Sequence, residues 1–267
     1  MDITKILDDS KIIFLDLDGT LFDARKTLIS TKNALFLDQV GKDKEIAIST
    51  SRGFDYKVYR IMKEYNINKL ILYNGAKIYN RFSLIRTNYI DVKVLNLLFR
   101  YLIKRKIVFV VFNEQIANIY LYNKLQVALC SFVKGVNPNY ADSITVNNNT
   151  FKISLILKTP FFTPGLVKRL RLMFPSLDVF SSSANYVVEI TSKDCNKGKA
   201  GLQVCEMLNI EPKKAIHIGD SMTDATCINQ LGTVIAMGNA SREFKKLATY
   251  VGPKHSNGGL YKLFNSK

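Results

Sequence analysis

Short apolar runs, each followed by a helical pattern, recur at both ends of this 267-residue chain. "KIIFLDLD" (11–18), "EIAIST" (45–50) and "KLILYNG" (69–75) are brief and rich in β-branched residues, as strands buried on both faces must be. Helical patterns lie between them at about 30–40 and 54–66. In the second, Tyr56, Tyr59, Ile61, Met62 and Tyr65 fall near the helical period. The last third repeats the grammar. A helix is predicted over 196–210, with Ala200, Val204, Cys205 and Leu208 on one side, then a strand over 213–220. A helix over 225–232, closed by a glycine, a strand over 233–239 and a helix over 240–248 follow. Such alternation predicts a parallel α/β sheet with right-handed crossovers. Residues from about 80 to 190 differ. "KIVFVVFN", "NIYLYN", "FKISLIL" and "NYVVEI" supply strands that outnumber the helical patterns at about 92–104 and 164–173, and the turns are Asn-rich. An inserted α+β unit is expected there.

With 47% hydrophobic residues the chain can bury a sizeable core. No stretch approaches the roughly 18 apolar residues a membrane helix needs, and "MDITKILDDSK" carries three acids and no apolar signal region. Four scattered cysteines (Cys130, Cys195, Cys205, Cys227) and two histidines (His217, His255) argue against a disulfide framework or a zinc site, and place the chain in a reducing cytoplasm. Cys195 reads as an ordinary thiol rather than a nucleophile. The net charge of +16 is uneven. Residues 81–175 hold 14 Lys and Arg against three Asp and Glu, a balance of +11; the rest hold 24 against 19, a balance of +5. A one-signed surface concentrates an anionic partner; lysine written onto solvated faces is the other reading.

Two acids, Asp16 and Asp18, close the first strand and are predicted to share a side of it, roughly 6–7 Å apart. Asp220 closes another apolar strand beside a glycine, and Asp224 follows at a helix start. Ligands of open α/β sheets sit at the carboxyl ends of the strands. Acids converging there would repel unless a cation joined them, and an oxygen-only set suits a hard ion such as magnesium. "STSRG" (49–53) adds hydroxyls, amides and an arginine, and Lys197 begins a helix whose N-terminus favours anions. Together these make a phosphate clamp with an aspartate placed to attack phosphorus and a second to move protons.

In this order the motifs resemble those of the haloacid dehalogenase superfamily. "IIFLDLDGTLFD" (12–23) is similar to its first motif, "AISTSR" (47–52) to the second, Lys197 to the third and "GDSMTD" (219–224) to the fourth. "YNGAKIY", "VVEIT", "KGKAG", "VIAMGNA" and "NGGL" resemble the Cof-type phosphatase branch, so the likeness runs along nearly the whole chain. The resemblance implies an α/β fold: a Rossmann-like core with a parallel sheet (1–81 and 189–267) and an inserted α/β cap domain (82–188). It implies Asp16 as nucleophile and Asp18 as general acid/base. It implies a magnesium ion held by Asp16, the Asp18 carbonyl and Asp220, with Asp224 supporting. Phosphate would be held by Thr50, Lys197, the amides of Leu17 and Ser51, and Thr223. The chain departs from the branch at Ser51, where glycine is usual, and at Thr223, where asparagine is usual. Asp23 is given no role and reads as a surface or capping acid.

The function these readings favour is a magnesium-dependent phosphatase of small phosphorylated metabolites, a sugar phosphate or a phosphorylated cofactor, acting through an aspartyl-phosphate. The basic insert favours a leaving group with further negative charge. A phosphomutase or a disaccharide-phosphate phosphatase is the alternative within the fold. A non-catalytic polyanion- or nucleic-acid-binding protein is the alternative of another class, opposed by the scarcity of Lys and Arg runs beyond Lys104-Arg105-Lys106 and Lys168-Arg169-x-Arg171. His217, in the strand before Asp220, could tune the metal site from behind its ligands but is read rather as a packed or strand-end histidine, and His255 is read as a solvated turn residue. Oligomeric state is not legible.

Overall fold

A computed structural model describes residues 3–24, 27–114, 117–131, 135–182, 185–193 and 195–265. They fall into two compact units, Met1–Arg86 with Asn196–Lys267, and Thr87–Cys195. The second is thus an insertion in the sequence of the first.

The first unit contains α1 (Ile3–Asp9), β1 (Ile12–Leu15), α2 (Thr31–Val40), β2 (Glu45–Ser49), α3 (Tyr56–Glu64), β3 (Lys69–Leu72) and β4 (Lys77–Asn80), with β5 (Ser83–Thr87) ending its first half. The inserted unit contains α4 (Val92–Lys104), β6 (Val108–Phe112), β7 (Ala117–Leu121), α5 (Lys124–Cys130), β8 (Val136–Tyr140), β9 (Lys152–Ile156), α6 (Thr163–Met173), β10 (Leu177–Ser182) and β11 (Val187–Ser192). The chain then returns with α7 (Lys197–Met207), β12 (Ala215–Gly219), β13 (Thr233–Ala236), α8 (Arg242–Leu247), β14 (Tyr250–Val251) and α9 (Gly259–Asn265).

In the first unit the strands form one sheet in the order β14-β13-β12-β1-β2-β3-β4-β5, parallel from β14 to β3, with β4 antiparallel to β3. β1 is central. All four of its side chains are buried because one face meets Leu37, Val58 and Ile61 and the other meets Val204, Cys205 and Phe244. That two-sided burial is why its sequence is uninterrupted Ile-Ile-Phe-Leu. Most helices start where a side chain can accept an orphan amide: Ser30, Asp55, Asn196 and Ser241 cap α2, α3, α7 and α8.

The inserted unit has a six-stranded sheet, β10-β11-β9-β6-β7-β8, antiparallel except between β7 and β8. One face packs on α4 and α6 through Leu95, Leu98, Leu102, Leu170, Phe109 and Leu155. On the other face Val110, Ile119 and Leu121 meet Val127 and Cys130 of α5. Lys152 there pairs with Glu189 at 2.9 Å, both side chains nearly buried. None of the described helices is long and apolar enough to cross a membrane.

Three expectations are corrected. The helix predicted over 225–232 is a single 3-10 turn, Asp224–Cys227, because Ile228 is extended and Asn229 takes a left-handed φ of 63°. On α3 the buried face is Val58, Ile61 and Met62, while Tyr56 and Tyr59 are exposed; their phenolic ends find water more cheaply than a core. β1 ends at Leu15, one residue before the first acid, so strand alternation does not govern Asp16 and Asp18. Asp16 is buried and Asp18 is exposed.

α7 lies tightly against the Asp224–Cys227 turn. A Cβ on Gly198 would stand 2.1 Å from the Thr226 carbonyl oxygen. Since backbone cannot yield as a side chain does, Gly198→Ala is expected to lower unfolding free energy by about 1–3 kcal/mol with little change in m-value, read by urea denaturation.

Candidate active site

The carboxyl ends of adjacent parallel strands gather the polar residues. Asp16 follows β1, Thr50 follows β2, Asp220 follows β12, and Asn239 lies three residues past β13. Lys197 is the first residue of α7, which Asn196 caps by accepting the Lys199 amide at 2.9 Å.

Lys197 organises the group. Its ammonium is buried and donates to Asp16 Oδ1 and to Asp224 Oδ1, each at 2.7 Å. Asp224 is saturated with protein donors. Oδ1 also accepts from His217 Nε2 at 2.8 Å. Oδ2 accepts from the Asp220 amide at 3.2 Å and from the Ser221 amide and hydroxyl, each at 2.9 Å. A carboxylate offers about four lone-pair sites. Five donors leave Asp224 no ready site for a further ligand.

Asp16 and Asp220 are different. Lys197 takes only Oδ1 of Asp16, and Asn239 Nδ2 takes only Oδ2 of Asp220 at 3.1 Å. Among the described residues no donor meets the other oxygen of either. One carboxylate oxygen from each of Asp16, Asp220 and Asp224 lies within 4.8 Å of the others. Three carboxylates therefore face one ammonium. Burial pushes Asp16 well above the ordinary carboxylate range despite Lys197, and burial together with Asp224 pushes Asp220 up to about 7. Burial opposes ionisation of Asp224 too, but Lys197 and His217 outweigh it and hold that carboxyl below its usual value. Lys197 is raised by the two acids against its own burial. A hard divalent cation between Asp16 and Asp220 would meet the two open oxygens and the surplus negative charge, so the donor set fits magnesium.

The remaining predicted residues lie around this centre. Asp18 turns to Arg52, which grips it with Nε at 2.5 Å and Nη2 at 2.8 Å and reaches Asp55, the cap of α3, with Nη1 at 2.7 Å. The bond to Asp18 raises the guanidinium further above its ordinary value. Thr50 is buried, with Oγ1 accepting from the Arg52 amide at 3.2 Å, and Ser51 is half-buried beside it. The Leu17 side chain is buried, and its amide meets no acceptor among the described residues. Thr223 Oγ1 lies 2.8 Å from Ser221 Oγ, so its hydroxyl is engaged within the loop that holds Asp224.

Two contributors, Asn239 and Asp23, carried no role at the site in the sequence reading, and a third, His217, reads there as a packed histidine more readily than as a tuner of the metal site. Asn239 ties Asp220 to the Gly19 carbonyl, and its own Oδ1 accepts from the His255 amide at 2.9 Å. His217 is wholly buried and bound to Asp224 rather than simply packed. Asp23 accepts from the amide and hydroxyl of Ser30, each at 2.6 Å, and from the Gly258 amide at 2.7 Å. It is a half-buried brace joining the α2 cap to the turn before α9. The one sequence sign of these partners was the polar type of Asn239 and His217 beside the ends of apolar strands.

A parallel sheet whose central strand is followed at once by Asp-x-Asp, with a buried lysine returning from far along the chain, is an arrangement suited to a hydrolase. The chain belongs to the haloacid dehalogenase-like hydrolase family, whose model matches residues 13–264. It is 26% identical over 277 residues to 5-amino-6-(5-phospho-D-ribitylamino)uracil phosphatase YwtE of Bacillus subtilis, covering 94% of this chain and 95% of that one. Its fold matches the HAD subclass IIB sugar phosphatase BT4131 with a TM-score of 0.82 at 18% identity, covering 96% and 98%. It also matches a haloacid dehalogenase-like hydrolase from B. subtilis, with a TM-score of 0.79 at 22% identity, covering 95% and 98%.

Because Asp220 binds its proton more tightly when folded, its contribution to stability is full at low pH and is lost as pH rises from about 4 to about 7. The metal-free protein is therefore expected to lose stability over that window relative to Asp220→Asn, read as the difference in thermal midpoints. Magnesium is expected to raise the wild-type midpoint more at pH 8 than at pH 5.

Proposed function

We propose that this hydrolase is a magnesium-dependent phosphatase of small phosphorylated metabolites, working through an aspartyl-phosphate on Asp16. The observation that carries the reading is the buried Lys197 shared between Asp16 and Asp224 beside the two open carboxylate oxygens. Magnesium, held by Asp16, Asp220 and the Asp18 carbonyl, would supply positive charge against the phosphoryl oxygens.

Lys197 and the loop amides of Leu17 and Ser51, with the Thr50 hydroxyl, bind the phosphoryl group opposite Asp16. Lys197 also offsets repulsion between the anionic nucleophile and the anionic ester. An Asp16 oxygen attacks phosphorus as the ester oxygen leaves, and Asp18 supplies the proton that oxygen takes up. Water then attacks the aspartyl-phosphate. Asp18 removes its proton, inorganic phosphate departs, and the Asp16 carboxylate is restored. Release of Asp18 from Arg52 frees it for these transfers. Asp224 acts from behind, holding Lys197 and fixing the Asp220 and Ser221 amides rather than binding the metal. Thr223 supports that loop through Ser221.

The relatives named as phosphatases support the reaction class. The inserted unit is taken as the cap that selects the leaving group, and its 13 Lys and Arg against six Asp and Glu over 87–195, a balance of +7, favour a substrate carrying a second negative group, such as a bisphosphate or phospho-acid. The sugar phosphatase neighbour keeps sugar phosphates in the same panel.

Turnover of a phosphate-ester panel is expected with magnesium and lost in excess chelator. Asp16→Asn is expected to reduce it by several orders of magnitude while leaving the fold intact, and full activity in that variant would remove Asp16 as nucleophile. Bisphosphates or phospho-acids should exceed neutral sugar monophosphates in kcat/KM. The reverse order would remove the charge argument but not the reaction.

A further inference from the structure

His217 lies in mid-strand on β12, paired in register with Phe14 of β1 and Val234 of β13, and is fully buried. Its Nε2 is 2.8 Å from Asp224 Oδ1. An ionised carboxylate only accepts, so Nε2 carries the hydrogen. Nδ1 is buried and meets no partner among the described residues. An imidazolium would leave an Nδ1–H unanswered there, so the ring is the neutral Nε2–H tautomer. Burial favours the neutral form as well, holding the ring below the ordinary histidine value.

Filling this volume does not require a histidine. A buried polar atom without a partner costs stability, and an apolar side chain would avoid that cost. Nor does Asp224 need the bond for its own satisfaction, since Lys197, the Asp220 amide and both donors of Ser221 already serve it. The hydrogen bond falls on Oδ1, the oxygen that competes with Asp16 for Lys197. A second donor on that oxygen weakens its pull on the ammonium and fixes the carboxylate plane.

We propose that His217 is a positioning residue for the phosphate site, holding Asp224 so that the Lys197 ammonium stays shared with Asp16 and available to the substrate phosphoryl group. The proposal rests on the phosphatase reading of the same site. It assigns His217 no contact with substrate.

The test compares wild type, His217→Phe and His217→Gln. Phenylalanine keeps the volume and removes the donor, whereas the glutamine amide restores a donor near the place of Nε2. His217→Phe is expected to melt as a folded protein, to lose about 10–100-fold in kcat/KM, and to bind inorganic phosphate more weakly in calorimetry. His217→Gln is expected to recover most of both. Wild-type kcat/KM and phosphate affinity in folded His217→Phe would overturn the proposal, as would a glutamine variant no better than phenylalanine. Should phenylalanine prevent folding, His217→Met makes the same comparison. If the wild type hydrolyses no ester, the phosphatase reading falls, while phosphate affinity across the variants still decides the role of His217.

Discussion

Everything in the site depends on one buried ammonium. Lys197 reaches Asp16 across 181 positions of sequence and Asp224 across 27, and it does so with almost no exposure of its own. A charge so placed is tolerable only while its partners stay, because leaving one member of a buried pair uncompensated costs about 3–5 kcal/mol. The surrounding architecture answers that demand. Asn196 caps the helix that carries the lysine, Gly198 lets that helix approach the Asp224 turn, and the backbone amides of Asp220 and Ser221 hold Asp224 from its far side. Stability and chemistry draw on the same contacts, so the site is built into the core and not laid on its surface.

The balance of charge also separates two kinds of acid that look alike in sequence. Asp224 is ringed by donors and is a fixed part of the frame. Asp16 and Asp220 each keep an oxygen without a protein donor. Burial raises both, because their charged forms are poorly solvated there. Asp18 belongs to neither kind. Its side chain is more than half exposed and held by Arg52, where it can be released without disturbing the buried set.

Much of this was legible in the chain. Uninterrupted apolar runs ending in acids gave the parallel strands and the edge where function lies, since burial on both faces admits no other composition. The motif order placed Asp16, Thr50, Lys197 and Asp220 at strand or helix ends that the fold brings to one sheet edge. What escaped was set by tertiary partners. Asp23 looks like a stray surface acid until Ser30 and Gly258 are seen around it. His217 reads as a packed histidine more readily than as a tuner of the metal site until its ring is found against Asp224. The short turn at 224–227 carries a helical pattern that a left-handed Asn229 overrides. The exposure of Asp18 escaped for a simpler reason: alternation is no guide past the end of a strand, and Leu15 is the last residue of β1.

The position of β1 has a consequence for biosynthesis. Its neighbours in the sheet are β2, close in sequence, and β12, which the chain reaches only after the whole insertion. At about 5–20 residues per second, synthesis from Leu15 to Gly219 takes roughly 10–40 s. Through that interval one edge of the most apolar strand in the sheet has no native partner, and the lysine that neutralises Asp16 has not been made for most of it. The strands of the inserted unit, by contrast, all lie within one continuous stretch of chain. Catalytic competence comes late in translation, which ties the appearance of activity to completion of the fold.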